Sequence, residues 1–164
     1  MRTVLFLSDT HSFWDSQLNE HVSKCDEVWH AGDIGSLEVL DKLKSFGKPL
    51  KVVYGNIDSR EIRHETIENE VFELEGLRFL MTHIIGKINA YTPRVKKLLK
   101  LHNPHVLLYG HSHKLLVKKD ENGIVLINPG AAGKHGFHLV KTAFVLTIEN
   151  QKISNFELIK LGKK

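Results

Sequence analysis

Five times along this chain a short apolar run stops abruptly at a small group of Asp, His or Asn residues. Val4 to Leu7 gives way to Asp9 and His11, and Val28–Trp29 to Gly32–Asp33. Lys51 to Tyr54 ends at Gly55–Asn56 with Asp58, Leu77 to Met81 at His83, and Val106 to Tyr109 at Gly110–His111–Ser112–His113. Apolar runs of this length, bounded by turn formers, read as buried strands. The carboxyl ends of strands are where open α/β sheets gather ligands. A chain built this way must fold so that several strand ends come together.

The intervening segments support an α/β fold. Residues 14–23 read weakly as a helix. Ser36 is a good N-cap for a helix through Phe46 with Gly47 as its stop, and Leu37, Leu40, Leu43 and Phe46 would share its buried face. Three strand–loop–helix units in succession favour a parallel sheet with helical crossovers. The second half is richer in hairpins. Turns are expected at Glu75–Gly76, Asn122–Gly123 and Asn150–Gln151. Thr92 and Pro93 open a helix through His102, with Val95, Leu98, Leu99 and His102 facing inward. No repeat, low-complexity stretch or linker interrupts the pattern, so residues 1–164 read as one domain with two sheets.

Composition narrows the function classes. The chain is 41% hydrophobic and 26% charged, near globular averages, which excludes a disordered chain. The opening apolar run is broken by Asp9, too soon for a signal peptide or a membrane span. Cys25 stands alone, so no internal disulfide can form, and with Ser23, Lys24 and Asp26 around it the residue reads as structural, at a helix end. The expectation is a soluble cytoplasmic protein with no membrane partner. The net charge of +4 is compatible with nucleic acid, but no basic stripe interleaved with aromatics appears. Nucleic acid is therefore not expected, and Lys134, Lys141, Lys160, Lys163 and Lys164 read as solvated surface.

Asp9 and His11 are separated by one residue, as are His111 and His113. In an extended loop such pairs point to one side and offer two ligands to one region. Gly32, Gly55 and Gly110 each precede a candidate ligand and would let the backbone turn there. A carboxylate has two oxygens and can bridge two cations. Two such cations roughly 3.5–4 Å apart clamp a phosphoryl group and activate a shared water. Mixed imidazole and oxygen donors suit Mn, Fe, Zn, Ni or Co better than Ca or Mg.

In this order and spacing the clusters resemble the calcineurin-like metallophosphoesterase superfamily. The short length and the Gly-Asn-x-Asp of Gly55–Asp58 resemble its YfcE-type phosphodiesterases. The likeness runs from Val4 to about Gly130 and includes Asn128–Pro129–Gly130. It implies an αββα sandwich of two sheets flanked by helices. It also implies a dinuclear site. Asp9, His11, Asp33 and His113 would hold one ion, and Asp33, Asn56, His83 and His111 the other, with Asp33 as the bridge. Mn is the foremost metal implied. The resulting activity is hydrolysis of a small phosphate ester, most of all a phosphodiester, by a bridging hydroxide. His83 would stabilise charge on the phosphoryl oxygens, and Asp58 would orient a ligand or loop or else close an Asx turn. A dimer or tetramer is implied as well.

Two departures stand out. Many superfamily members carry a histidine where this chain has Ile57, although YfcE-type members also lack it. The segment after Gly130 contains Lys134, His135, Phe137 and His138 in place of a shorter form ending in Pro-Arg. His135 and His138 either touch substrate or are simply solvated. A second resemblance, to the retromer subunit of this fold, implies a catalytically weak scaffold. Competent residues at every ligand position favour the enzyme.

Overall fold

The computed structural model describes residues 1–164. Its layering starts from the alternation in β1 (Arg2–Leu7). Val4 and Phe6 enter one apolar cluster, Leu5 and Leu7 another on the opposite face. The chain continues through α1 (Leu18–Lys24), β2 (Glu27–His30), α2 (Leu37–Ser45), β3 (Leu50–Val52) and α3 (Arg60–Glu65). There follow β4 (Asn69–Leu74), β5 (Leu77–Thr82), a small hairpin of β6 (Gly86–Lys87) and β7 (Ala90–Tyr91), and α4 (Pro93–His102). The last strands are β8 (Val106–Leu108), β9 (Leu115–Lys119), β10 (Val125–Pro129), β11 (Val140–Glu149) and β12 (Lys152–Lys163).

One five-stranded sheet has the order β12-β11-β1-β2-β3, the other β4-β5-β8-β10-β9. Between them lies a core that includes Phe6 and Trp29 from the first sheet and Phe79 and Met81 from the second. Trp29 is fully buried, edge-on to Phe72 and Phe79 with ring centroids 4.8 and 5.0 Å away. Aromatic pairs of this kind add about 0.5–1.5 kcal/mol beyond area burial. The outer face of the first sheet packs on Leu18 and Val22 of α1 and Val39, Leu40 and Leu43 of α2. The outer face of the second meets Val95 of α4. The result is the expected αββα sandwich.

Strand direction is what builds the site. β1, β2 and β3 run parallel, and so do β5, β8 and β10. Their carboxyl ends therefore line up, carrying the loops of Asp9, Asp33, Asn56, His83 and His111.

Several local expectations need correction. Helix α1 starts only at Leu18, because Asp15 Oδ1 accepts the Gln17 N–H at 3.0 Å and turns the preceding segment. In α2, Leu37 is exposed and Val39 takes its place in the core. A three-residue spacing drifts about 60° per step around a helix, so its ends leave the buried face. Ser36 holds the N-cap position, but its hydroxyl makes no capping hydrogen bond. Thr92, by contrast, accepts from the Val95 N–H at 3.3 Å. Lys141 is not solvated surface: it is buried, with its ammonium 2.5 Å from Asp15 Oδ2. The hairpin β11–β12 crosses back to join the first sheet, with β11 antiparallel to β1. No helix is long and apolar enough to cross a membrane.

Candidate metal centre

The loops at the strand ends are not extended. Asp9, His11, Asp33, His111 and His113 all have positive φ, at 55°, 44°, 54°, 65° and 56°. Left-handed backbone costs a residue with a Cβ on the order of 1–3 kcal/mol and persists only where its surroundings over-determine it. Here the surroundings are other loops. Asp9 N–H donates to Gly32 O at 3.0 Å and His11 N–H to Asp33 O at 3.0 Å. Gly133 N–H donates to Asp9 O at 3.0 Å. The paired ligands converge through these cross-loop bonds, not through the pleat of an extended loop.

The glycines serve a related purpose. Gly32 has φ +98°, as a turn former should. Gly55 and Gly110 have no such conformation and are needed for close approach. A Cβ on Gly110 would stand 2.0 Å from Ser8 Oγ and 2.7 Å from Asp9 Oδ2.

The side chains form two groups of donors, Asp9–His11–His113 and Asp33–His83–His111. Each aspartate spends one oxygen on the scaffold and turns the other inward. Asp9 Oδ2 accepts from Ser8 Oγ at 2.7 Å and from the His111 N–H at 3.1 Å. Its Oδ1 lies 3.1 Å from His113 Nε2 and 3.8 Å from His11 Nε2. Asp33 Oδ1 accepts the Ile57 N–H at 3.1 Å. Its Oδ2 lies 3.5 Å from His11 Nε2 in the first group and 3.2 Å from His83 Nε2 in the second. That oxygen lies between one imidazole of each group. Asn56 stands at the rim, its Oδ1 3.0 Å from His111 Nδ1.

Asp9 Oδ1, His11 Nε2 and His83 Nε2 are buried and none has a hydrogen-bond partner. Asp9 Oδ1 lies 3.8 Å from His11 Nε2 and 3.9 Å from His83 Nε2, too far for a hydrogen bond. Buried polar atoms are ordinarily satisfied, so three orphans facing one another fit the donor set of metal ions. The His83 Nδ1–H donates to Ala31 O at 2.7 Å, which fixes the tautomer and turns the Nε2 lone pair into the centre.

Charge balance follows from this crowding. Burial alone would raise the pKa of Asp9, but His11, His113 and His83 outweigh it and hold the carboxyl far below the usual range. For Asp33 burial likewise raises, and His83 and the Ile57 N–H lower it on balance. The imidazole of His83 is pulled down by burial, yet its carboxylate neighbours raise it overall. His111 is lowered, by burial first and then by His83. Both aspartates therefore offer charged oxygens across the physiological range.

Asp58 does not face the centre. It is buried, and its Oδ1 and Oδ2 accept the N–H groups of Gly35 and Gly55 at 2.8 and 2.7 Å. It ties the Asp33 loop to the Asn56 loop. Of the two roles open to it in the sequence, the structure supports the orienting one.

Sequence reasoning missed three further braces. Arg63, on the unexpected helix α3, donates to the carbonyls of Asp58, Gly55 and Asn56. Asn128 Nδ2 donates to Gly110 O at 2.9 Å and so shapes the His111 loop. His30, fully buried, takes the Gly32 N–H on Nδ1 at 3.1 Å and gives its Nε2–H to Thr10 Oγ1 at 3.0 Å. Burial pushes its pKa down to about 4, so it is neutral. Only Asn128 had a visible signal, in Asn-Pro-Gly. His135 and His138 both border the centre, their rings 4.9 Å from His11 and 5.2 Å from His113. His135 is exposed, while His138 is half-buried and donates to Gly133 O at 2.8 Å.

A calcineurin-like phosphoesterase superfamily domain model matches residues 1–151. The chain belongs to that superfamily. A protein named probable metallophosphoesterase, from Methanothermobacter thermautotrophicus, is 30% identical to this phosphoesterase-family chain over 135 residues, covering 82% of it and 76% of the relative. An archaeal phosphodiesterase structure is 22% identical with a TM-score of 0.72, covering 96% of this chain and 99% of that one. Vps29 from Entamoeba histolytica, solved complexed with Zn2+, is 19% identical with a TM-score of 0.72, covering 98% and 99%. At these identities the two structures share the fold.

Proposed function

We propose that this phosphoesterase-family chain is a metal-dependent phosphodiesterase with a dinuclear centre. The observation that carries the reading is the position of Asp33 Oδ2, within 3.5 Å of His11 Nε2 on one side and 3.2 Å of His83 Nε2 on the other. Asp9, His11, Asp33 and His113 would hold one divalent ion. Asp33, Asn56, His83 and His111 would hold the second. Two bound ions would supply Lewis acidity toward the phosphoryl oxygens and a water of lowered pKa. The chain's own residues present and orient the donors. Two carboxylates against two divalent ions leave the centre cationic, which suits an anionic diester. With Nδ1–H committed to Ala31 O, His83 would act through Nε2 as a ligand of the second ion, and charge on the phosphoryl oxygens would fall to the ions themselves.

Mn is the metal proposed first, on the family resemblance; the mixed imidazole and oxygen donors equally suit Ni, Zn, Fe and Co. A cytoplasmic setting and a dimer or tetramer belong to the same proposal. The Vps29 neighbours keep a scaffold role in view, and the solved Vps29 complex with Zn2+ means that metal binding alone does not separate the two. Turnover does. The test is a hydrolysis screen of protein loaded with each metal, against phosphodiesters, monoesters and cyclic nucleotides. Metal-dependent cleavage of diesters, abolished by chelation, is the expected result. Two bound ions with no turnover of any ester would favour the scaffold.

A further inference from the structure

A cavity of about 200 Å³ opens beside the His83 side of the centre. Its walls include Tyr54, Asn56, Arg63, Glu68, His83 and Arg94. Two of these wall residues belong to the proposed second ligand set, so the cavity is continuous with the place where a phosphoryl group would sit. Its volume is below the roughly 300–1,000 Å³ of pockets that enclose a whole ligand. It can take one arm of a substrate.

The charge in this cavity is unbalanced. Arg94 is partly neutralised by Glu68, whose Oε1 is 3.7 Å from Nε. Its other donors go to Thr82 Oγ1 at 3.0 Å, Ile84 O at 3.1 Å and Asn69 Oδ1. Arg63 has no carboxylate partner. It donates Nε to Asp58 O at 2.9 Å and Nη2 to Gly55 O and Asn56 O at 3.3 and 3.2 Å. All three acceptors are neutral carbonyls. The guanidinium lies 4.8 Å from the Tyr54 ring centroid, which fixes its plane, and Nη1 is left without a protein acceptor. A guanidinium held flat with free N–H groups is suited to a carboxylate or phosphate.

We propose that this cavity is a subsite for the ester arm of the substrate, and that it selects phosphodiesters whose arm carries a second anionic group. The proposal rests on the phosphodiesterase reading above and names its substrate class. Arg63 is the residue that recognises the arm, and Arg94, which also lines the cavity, adds positive potential.

The experiment uses three p-nitrophenyl phosphodiesters with the same leaving group, whose second arm is 2-carboxyethyl, ethyl or choline. The metal-loaded enzyme is expected to favour the carboxyethyl arm over the ethyl arm in kcat/KM by on the order of tenfold. The choline arm should be the poorest. Arg63→Gln keeps a donor toward the loop carbonyls but loses the charge, so the carboxyethyl-to-ethyl ratio should fall to about one. The ratio is the readout, because loss of the loop brace alone would slow both esters together.

Equal kcat/KM for all three arms in the wild type would overturn the subsite while leaving the phosphodiesterase intact. No cleavage of any of them would overturn the phosphodiesterase reading instead. An unchanged ratio in Arg63→Gln would remove Arg63 from the proposal. Should that variant fail to fold, NMR of Arg63 side-chain resonances in the zinc-loaded wild type takes its place. 2-Carboxyethyl ethyl phosphate should shift them and diethyl phosphate should not; identical responses would count against the subsite.

Discussion

A Cβ placed on Gly55 would stand 2.0 Å from Oδ1 of Asp33 and 2.4 Å from its backbone nitrogen. Rotating the Asp33 side chain cannot relieve the second contact, so the two loops would have to separate. Asp33 belongs to one donor group, and its Oδ2 also lies 3.5 Å from His11 Nε2 of the other; in the proposed dinuclear centre it would serve both. Gly55→Ala is therefore expected to lose metal from both positions together while far-UV circular dichroism stays that of the folded protein. Metal analysis after reconstitution checks this. Two retained ions per chain would show that the close approach is not what positions Asp33.

The two buried aspartates of these loops should behave differently. Asp33→Asn removes the charge that faces both donor groups and should release both ions. Asp58→Asn leaves the donors in place and replaces one backbone acceptor by an NH2 group facing Gly35 or Gly55. Outer residues of this kind typically cost about 10–100-fold in affinity or activity. The Asp33 variant should lose far more. Parallel measurement of metal content and diester hydrolysis decides, and equal losses would mean that the roles are misassigned.

Asp15 and Lys141 form a buried ion pair that ties the loop after β1 to β11. Burial alone would raise Asp15, but Lys141 and the Gln17 amide lower it below 3.8. A carboxyl whose folded pKa is depressed contributes stability above its unfolded value and loses it as pH falls through the folded one. The contribution should thus be complete above about pH 4 and decline in more acidic solution. Removing one partner of a buried pair typically costs about 3–5 kcal/mol. Asp15→Asn is expected to lower Tm clearly at neutral pH, with the gap to wild type narrowing below pH 4. A gap independent of pH would show that packing, not the charge pair, is lost.

How much of this was legible in the sequence depended on how local the information was. The strand ends carrying Asp9, Asp33, Asn56, His83 and His111 were visible, because a strand is announced by its apolar run and ended by glycine or a polar residue. Helix α4 was fixed by Thr92 and Pro93. The convergence of the two donor groups was expected from the resemblance and appears in the geometry. What remained hidden was non-local. Nothing near Val140 says that β11 will pair with β1, and nothing around Lys141 announces Asp15. Arg63 was missed because α3 is a helix of only 6 residues with a single buried one, Ile62, so it has no readable apolar face. The left-handed backbone at Asp9, His11, Asp33, His111 and His113 was also invisible, since it is imposed by neighbouring loops.

Ile57 follows Asn56 directly, is 46% exposed, and gives its N–H to Asp33 Oδ1. Its side chain cannot move a proton, and none of the residues proposed as ligands is free to act as a general acid. General acid assistance is typically worth about 10²–10⁴-fold. Without it, an alkoxide must leave with its full negative charge. The rate should therefore depend steeply on leaving-group pKa, with aryl phosphodiesters cleaved much faster than alkyl ones. Ile57→His should flatten that dependence by accelerating the alkyl esters, provided the backbone N–H still serves Asp33. The measurement is the slope of log kcat/KM against leaving-group pKa for both proteins. A shallow slope in the wild type would mean that an acid is already present. His135 would then be the first to replace, because it is exposed beside His11, whereas the Nε2 of His138 is committed to Gly133.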